Sequence, residues 1–563
     1  MEQTSRNDSE PHLMSPETPK PGAKPSPSAL GEGRREQAGK QSAPAQNSGG
    51  VRVDSASGSK VRVNWEDSGG GKANFQETAQ AGIAGKAGSA AGEVGVPHST
   101  VDLHHFKRCK EGRGDTYSKR RGEAKDTGMA QATEILTPEK VRQLQITLYR
   151  KAKAQPKYRF WSLYGELLRL DVLESALDAQ LRNDGGAGVD GESLASVESK
   201  RRWWLEQLRE ELRTKRYRPS PVLRVMIPKP GGGQRPLGIP TVKDRVVETA
   251  LYLVLMPIWE AEFHSQSYGF RPKRRAHQAI DGICQAVHQG YVEIIDADLS
   301  NYFGTIPHRA LMKMVARRVS DGSVLRLIKS WLRAPIVEQD KDGTKRVLPN
   351  RCGTPQGGVI SPLLANIYLN PLDHGVNEKC VGQARMFRYA DDFVIACRRG
   401  RAGEVRERTK RWLAAKGLKL NEVKTRVVDI HQEGMNFLGF NLTWRQSKKG
   451  RKYLHVEPSQ GSRAALRDNL RGILNHWTQW RPIAEVVKET NQVLRGWSGY
   501  FHFRNSTAVM GNLKRYSQDV FRRWLWRKHA CKGGLWSRYP DEQLHAHYGL
   551  YTLPTTAAWK ATR

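Results

Sequence analysis

The pattern of apolar and polar positions centres on one stretch, Phe387-Arg388-Tyr389-Ala390-Asp391-Asp392-Phe393-Val394-Ile395. Apolar and aromatic residues flank two adjacent acids, a pattern that predicts two strands joined by a tight turn with the carboxylates at its tip. Residues 292–299 form a second acidic strand, Val-Glu-Ile-Ile-Asp-Ala-Asp-Leu. Strand alternation puts Asp296 and Asp298 on one face, and spacing does not choose between them. Residues 222–240 predict a β-hairpin around a Pro-Gly turn, with Lys229 and Arg235 near its tip.

Helical spacing dominates elsewhere. Thr137-Pro138-Glu139-Lys140 reads as a helix opening, and Leu144, Leu148, Phe160, Leu163, Leu167, Leu168 and Leu173 continue an amphipathic pattern up to the Gly-rich loop at 185–191. Lys243-Asp244-Arg245 leads into a helix whose Val246, Val247, Ala250, Leu251, Val254 and Leu255 predict core. Further helices are expected over 276–288, from the Gly-rich string at 351–362 to about Leu369, and over 403–415. His277 and His288 sit where packing or solvent explains them. Past residue 460, Leu513, Tyr516, Val520 and Trp524 keep helical spacing while Lys514, Arg515, Arg522 and Arg523 populate other faces. Eight of the fifteen tryptophans lie between 444 and 559, interleaved with Arg and Lys. Taken as core, the apolar stripe leaves that basic flank to face a nucleic-acid backbone.

The N-terminal segment breaks the pattern. Its first 130 residues hold only Trp65, Phe75, Phe106 and Tyr117 as aromatics, amid Gly, Ser, Pro, Ala and charge. Such a segment buries too little apolar surface to offset its ordering entropy. The chain therefore divides into a disordered basic tail (1–135), an α+β region (136–455) and an all-α region (456–563). Met129 is an alternative initiator.

Charge narrows the partners. Ninety-two Lys and Arg against 57 Asp and Glu leave a net charge of +35, beyond what solubility requires and suited to a polyanion. The six cysteines, at 109, 284, 352, 380, 397 and 531, have no metal-ligand or disulfide-framework spacing, which points to a reducing compartment. No apolar run is long enough for a membrane span or a signal h-region. A cytoplasmic protein with no membrane partner is the expectation.

If the fold brings the strand-end acids together, they make a hard-oxygen cage suited to two Mg²⁺ ions that share substrate phosphates. Tyr389-Ala390-Asp391-Asp392, preceded by the Asp298-to-Phe303 spacing, resembles a reverse transcriptase. The finer likeness, from about Lys140 to the C-terminus, is to the reverse transcriptase/maturase proteins of group II introns. That resemblance implies a right-hand polymerase, with fingers and an antiparallel palm sheet followed by a helical thumb. It selects Asp298 over Asp296, since the family pattern falls on Asp298-Leu299-Ser300-Asn301-Tyr302-Phe303. It also implies Asp298, the Leu299 carbonyl, Asp391 and Asp392 as metal ligands, and Lys229 and Arg235 as contacts to the incoming triphosphate. Phe303 would stand against the sugar, Gln356 would shape the nucleotide pocket, and Lys424 would lie near the leaving phosphates. A ring at Phe303 leaves no space for a 2′-hydroxyl and so favours dNTPs. Gly304 stands where many relatives carry Asp.

The partners implied are group II intron RNA, an RNA template with a DNA primer, dNTPs and target DNA. With no paired-Cys or His-Asn-His endonuclease signature, an endonuclease-lacking member that borrows its primer is expected. Three other readings stand beside this one: a domesticated relative acting in repair or phage defence, a maturase-only RNA-binding protein, and an RNA-templated polymerase using rNTPs, which Phe303 disfavours.

Overall fold

A computed structural model describes residues 138–228, 233–339 and 344–556. The N-terminal tail, Met129 and Lys229 lie outside them. In chain order the strands of the described residues are β1 (Val222–Pro228), β2 (Gln234–Ile239), β3 (Glu293–Ala297), β4 (Ile336–Gln339), β5 (Lys345–Leu348), β6 (Ala384–Tyr389), β7 (Asp392–Cys397), β8 (Arg426–Asp429), β9 (Met435–Phe437), β10 (Phe440–Gln446) and β11 (Lys452–Pro458).

They form three sheets. The first is ordered β2-β1-β4-β5, with β1 and β2 as the expected hairpin and β1 parallel to β4. The second, β6-β7-β3-β8, is antiparallel throughout and is the palm sheet foreseen from the acidic strands. Alternation along its strands feeds two cores. Ile295, Ala297, Phe393, Ile395 and Cys397 join one core with the helices Val242–Glu260 and Ser361–Lys379. Ile294, Val394 and Ala396 join the other, with the Ala276–His288 helix and the C-terminal helices. A strand between two apolar layers reads as an almost unbroken apolar run, as Phe393 to Cys397 does.

The helix Val242–Glu260 is buried nearly all round, with every residue from Val246 to Trp259 withdrawn from solvent. It is capped by Thr241, whose hydroxyl accepts from the Asp244 amide at 3.1 Å. The Ala276–His288 helix has the expected bounds. His277 stacks on Tyr500 and Phe503, and its Nε2 lies 2.7 Å from the Tyr500 carbonyl, a packing role.

Two expectations change. The helix after the Gly-rich string does not end near Leu369; it runs Ser361–Lys379 with Pro371 inside it. Proline removes one donor from the ladder, but packing on both sides keeps the helix going: Leu372 and Val376 beyond it are fully buried. The division at 455/456 falls within β11, and the helical region starts at Gln460, capped by Ser459. From there Gln460–Ile473, Ile483–Phe501 and Thr507–Lys528 form the C-terminal bundle.

Candidate active site

The paired acids sit at the tip of the strand turn that their apolar flanks predict. Tyr389 and Asp392 are partners in the β6–β7 register, so Ala390 and Asp391 form a two-residue turn. Ala390 takes φ +60°, a conformation that hairpin turns demand and a Cβ disfavours. Its surroundings hold it there. Gly269 lies so close that a Cβ on it would come 2.2 Å from the Ala390 nitrogen. Beneath the turn, the fully buried Arg388 donates to the Ala390 carbonyl and to the Asn366 Oδ1, both at 2.8 Å, to the Ser267 hydroxyl at 2.8 Å, and to both oxygens of Asp373. Asn366 in turn donates to the Gly269 carbonyl at 2.8 Å. Neither the role of Arg388 nor that of Asp373 was read from the sequence, because the partner lies beyond Pro371 on the helix segment expected to have ended.

Asp298 follows β3 directly. Since Asp296 pairs with Val394 and Ala297 with Phe393, the next step of the register sets Asp298 opposite Asp392. Asn421 fixes it twice, its amide donating to the Asp298 carbonyl at 2.8 Å and its side chain to Oδ2 at 3.2 Å. The Lys424 ammonium stands 3.3 Å from the same Oδ2. Leu299 bridges to Leu420.

These acids feel one another. Asp392 reaches solvent, yet crowding by protein atoms, then the charges of Asp391, Asp298 and Asp296, push its carboxyl up to about 7, with Lys424 pulling the other way. Asp296 is raised as well, chiefly by burial, while Arg426 opposes the shift. The mutual repulsion marks a place where positive charge is wanted. Among the described residues, however, no three His, Cys, Asp or Glu side chains stand close enough to hold a metal by themselves.

The nucleotide-pocket residues are joined through backbone. Phe303 is half-buried on the Tyr302–Thr305 turn of helix, its ring edge-on to Phe270 at 6.4 Å. Its carbonyl accepts from Thr354 at 2.7 Å, and the Gly353 amide donates to Ile306 at 2.8 Å, tying the Gly-rich loop to this helix. Gly353 has φ +84°, and a Cβ there would meet the Phe303 oxygen at 2.7 Å. At the loop's other end the Gly238 amide donates to the Gln356 carbonyl at 2.5 Å. Gly357 has φ +121°, and a Cβ on it would collide with the Gly238 oxygen at 1.9 Å. Glu248 supports the loop from below, accepting from the Ile360 amide at 3.2 Å. Burial first, then Asp244, pushes the Glu248 carboxyl up to about 8, opposed by the Ile360 amide and Arg245. Arg235 is exposed on β2 opposite Ile227.

Residues 227–442 match the reverse transcriptase (RNA-dependent DNA polymerase) family, and residues 463–539 match the group II intron maturase-specific domain. Protein YkfC of Escherichia coli K12 is 34% identical over 349 residues, 55% of this chain and 90% of that protein. The group II intron-encoded protein LtrA of Lactococcus lactis subsp. cremoris is 33% identical over 215 residues, 38% of this chain and 35% of LtrA. A putative COX1/OXI3 intron 1 protein of Saccharomyces cerevisiae is 24% identical over 380 residues, 58% of this chain and 44% of that protein. The chain belongs to the group II intron reverse transcriptase/maturase family. It spans less than half the length of these last two relatives.

In this reverse transcriptase the polymerase domain implies dependence on a divalent metal, and the maturase-specific domain implies RNA as a partner. Among the described residues no helix is long and apolar enough to cross a membrane. The basic flank of its Thr507–Lys528 helix divides. Arg515 and Arg523 are exposed and Lys514 is half-buried. Arg522 does not belong with them. It is fully buried, donating to the Tyr539 carbonyl at 2.7 Å and pairing with Asp519 and Asp541 while its guanidinium stacks on Trp536 at 3.8 Å. It fastens the segment after the helix to the bundle and cannot meet RNA. Helical spacing could not separate it from Arg523, because its partners lie up to 19 residues further on.

Proposed function

We propose that the chain extends a DNA primer on an RNA template with dNTPs, and that its C-terminal helices hold the intron RNA to assist splicing and mobility at a DNA target, in the cytoplasm or nucleoid. What supports this reading is the register that sets Asp298 opposite Asp392, next to the turn that carries Asp391, together with the bond from Thr354 that ties the Gly-rich loop to Phe303.

The donor set fits hard divalent cations: Asp298, the Leu299 carbonyl, Asp391 and Asp392 would hold two Mg²⁺, with phosphate oxygens completing the coordination. When bound, such ions lower the pKa of a primer 3′-hydroxyl and steady the departing pyrophosphate. The chain's own groups do the rest. Asn421 and the β3–β7 register hold Asp298 in place, and Arg388 holds the turn that carries Asp391. Phe303 offers a ring where a 2′-hydroxyl would have to fit. Gln356 would shape the pocket, while Lys229 and Arg235 would supply positive charge to the triphosphate. Lys424, paired with Asp298 at 3.3 Å, would neutralise the leaving phosphates or protonate them.

Primer extension on an RNA template with dNTPs and Mg²⁺ tests this. Wild type should synthesise DNA, and Asp391→Asn should lose at least about 100-fold in rate while keeping its RNA affinity. Substantial synthesis by the variant would remove Asp391 from the assignment. RNA binding without synthesis by either protein would leave a maturase-only protein.

A further inference from the structure

The far end of the C-terminal bundle carries two exposed indoles that the polymerase site does not use. The Gln460–Ile473 helix begins against the palm, where the Ser462 hydroxyl donates to the Gly439 carbonyl at 2.8 Å. The Ile483–Phe501 helix returns to the same place, with the Tyr500 hydroxyl on the Leu438 carbonyl at 2.9 Å. The turn between them, residues 474–482, is therefore displaced from the palm by the length of the shorter helix, about 20 Å at 1.5 Å per residue. Trp477 and Trp480 on this turn are 66% and 81% exposed.

The turn itself is well built. Thr478 donates to the Ile473 carbonyl at 2.7 Å and accepts from the Trp524 indole at 3.1 Å. Lys528 donates to the carbonyls of Gln479 and Arg481 at 2.5 and 3.0 Å, which brings an ammonium to the turn. Arg523 and Arg527, one helical turn apart on the same Thr507–Lys528 helix, are both exposed. Arg481 is neutralised by Glu489 and Glu485. The result is two exposed indoles, Trp477 with the His476 ring packed against it at 4.0 Å between centroids, held on a bonded turn beside a cationic helix end.

We infer that Trp477 and Trp480 form a stacking platform for unpaired bases of RNA, separate from the polymerase site. This rests on the maturase reading above and names the part of the RNA that the bundle takes. Indole faces accept any base, and cations alongside neutralise the strand's phosphates. A duplex keeps its bases stacked on one another and offers the indoles little, so the platform selects loops and single strands. A protein partner would call for a contiguous apolar patch. Here the neighbouring helix end carries Arg523, Arg527 and Lys528, which suits a polyanion.

The test uses the full chain, an end-labelled unstructured RNA strand and a blunt RNA duplex of equal length, titrated at one salt concentration. The double variant Trp477→Ala/Trp480→Ala should weaken single-strand binding by about 10-fold or more and duplex binding by less than about 2-fold. Trp477→Tyr/Trp480→Tyr should keep most of the single-strand affinity. Equal losses on both RNAs, or no loss on either, would overturn the platform. So would a change in the solution mass of the alanine variant with single-strand binding intact, which would make the indoles a protein interface. Failure of wild type to bind either RNA would instead overturn the maturase reading.

Discussion

Arg388 and Asp373 are joined by two hydrogen bonds, of 2.8 and 2.5 Å, with both side chains sealed from water. The pair lies directly under the turn that carries Asp391, and the same guanidinium reaches the Ala390 carbonyl, Asn366 and Ser267. A planar fork with five donors can serve four partners at once; an ammonium cannot.

Removing one member of a buried pair strands the other. Asp373→Ala should lower unfolding free energy by about 3–5 kcal/mol, measurable by denaturant titration. Arg388→Lys keeps the charge and loses the fork, so the Ala390 turn should loosen and single-turnover extension should fall at least about tenfold with template affinity retained. Full activity in that variant would show that Gly269 and the β6–β7 register hold the turn unaided.

Phe303 can be tested by shape alone. Phe303→Val opens space against the sugar, and its preference for dNTPs over rNTPs should drop on the order of 10- to 100-fold. Competing dNTP and rNTP incorporation on one template measures it. An unchanged ratio would assign sugar selection to another side chain.

Glu248 makes stability depend on pH. Its folded-state carboxyl titrates at about 8, above the ordinary 4.5, so the folded chain binds the extra proton between those values. Stability associated with this group is full below the unfolded value and is lost as pH rises toward 8. The slope is about 1.4 kcal/mol per pH unit for one proton. Glu248→Gln should remove that slope, so the difference between variant and wild-type unfolding free energies should widen from pH 5 to about 8. Parallel curves would show that Glu248 is already ionised in the fold.

The two neighbouring arginines of the Thr507–Lys528 helix should part company. Arg523→Ala should leave unfolding unchanged and reduce the salt dependence of RNA binding by about one unit of slope. Arg522→Ala should destabilise the chain by about 1–3 kcal/mol, because the Tyr539 carbonyl loses its donor while Asp519 and Asp541 stay partly open to water.

The contrast between these residues shows what sequence could carry. Alternation and turn chemistry are local, so the acidic hairpin, the antiparallel palm strands and the Ala276–His288 helix were legible. The choice of Asp298 came from family resemblance, and the β3–β7 register accounts for its position. Long-range partners left no such trace. Arg388 looked like any strand residue, Asp373 sat behind a proline that reads as a stop, and Arg522 shared its neighbours' charge but not their surroundings. Trp477 and Trp480 were counted among the aromatics of the region, yet nothing local distinguishes an exposed indole from Trp524, which is fully buried.

The Gly-rich loop is bonded at one end to the palm, through Thr354 and Phe303, and at the other to the finger hairpin, through Gln356 and Gly238. Gly238 is itself paired with Arg224 on β1, and β1 with β4, so the loop ties the finger hairpin and the Tyr302–Thr305 turn into one run of backbone bonds. With the roles proposed for Arg235 and Phe303, a substitution in that loop would disturb the phosphate and sugar contacts together, so neither could be altered there without the other.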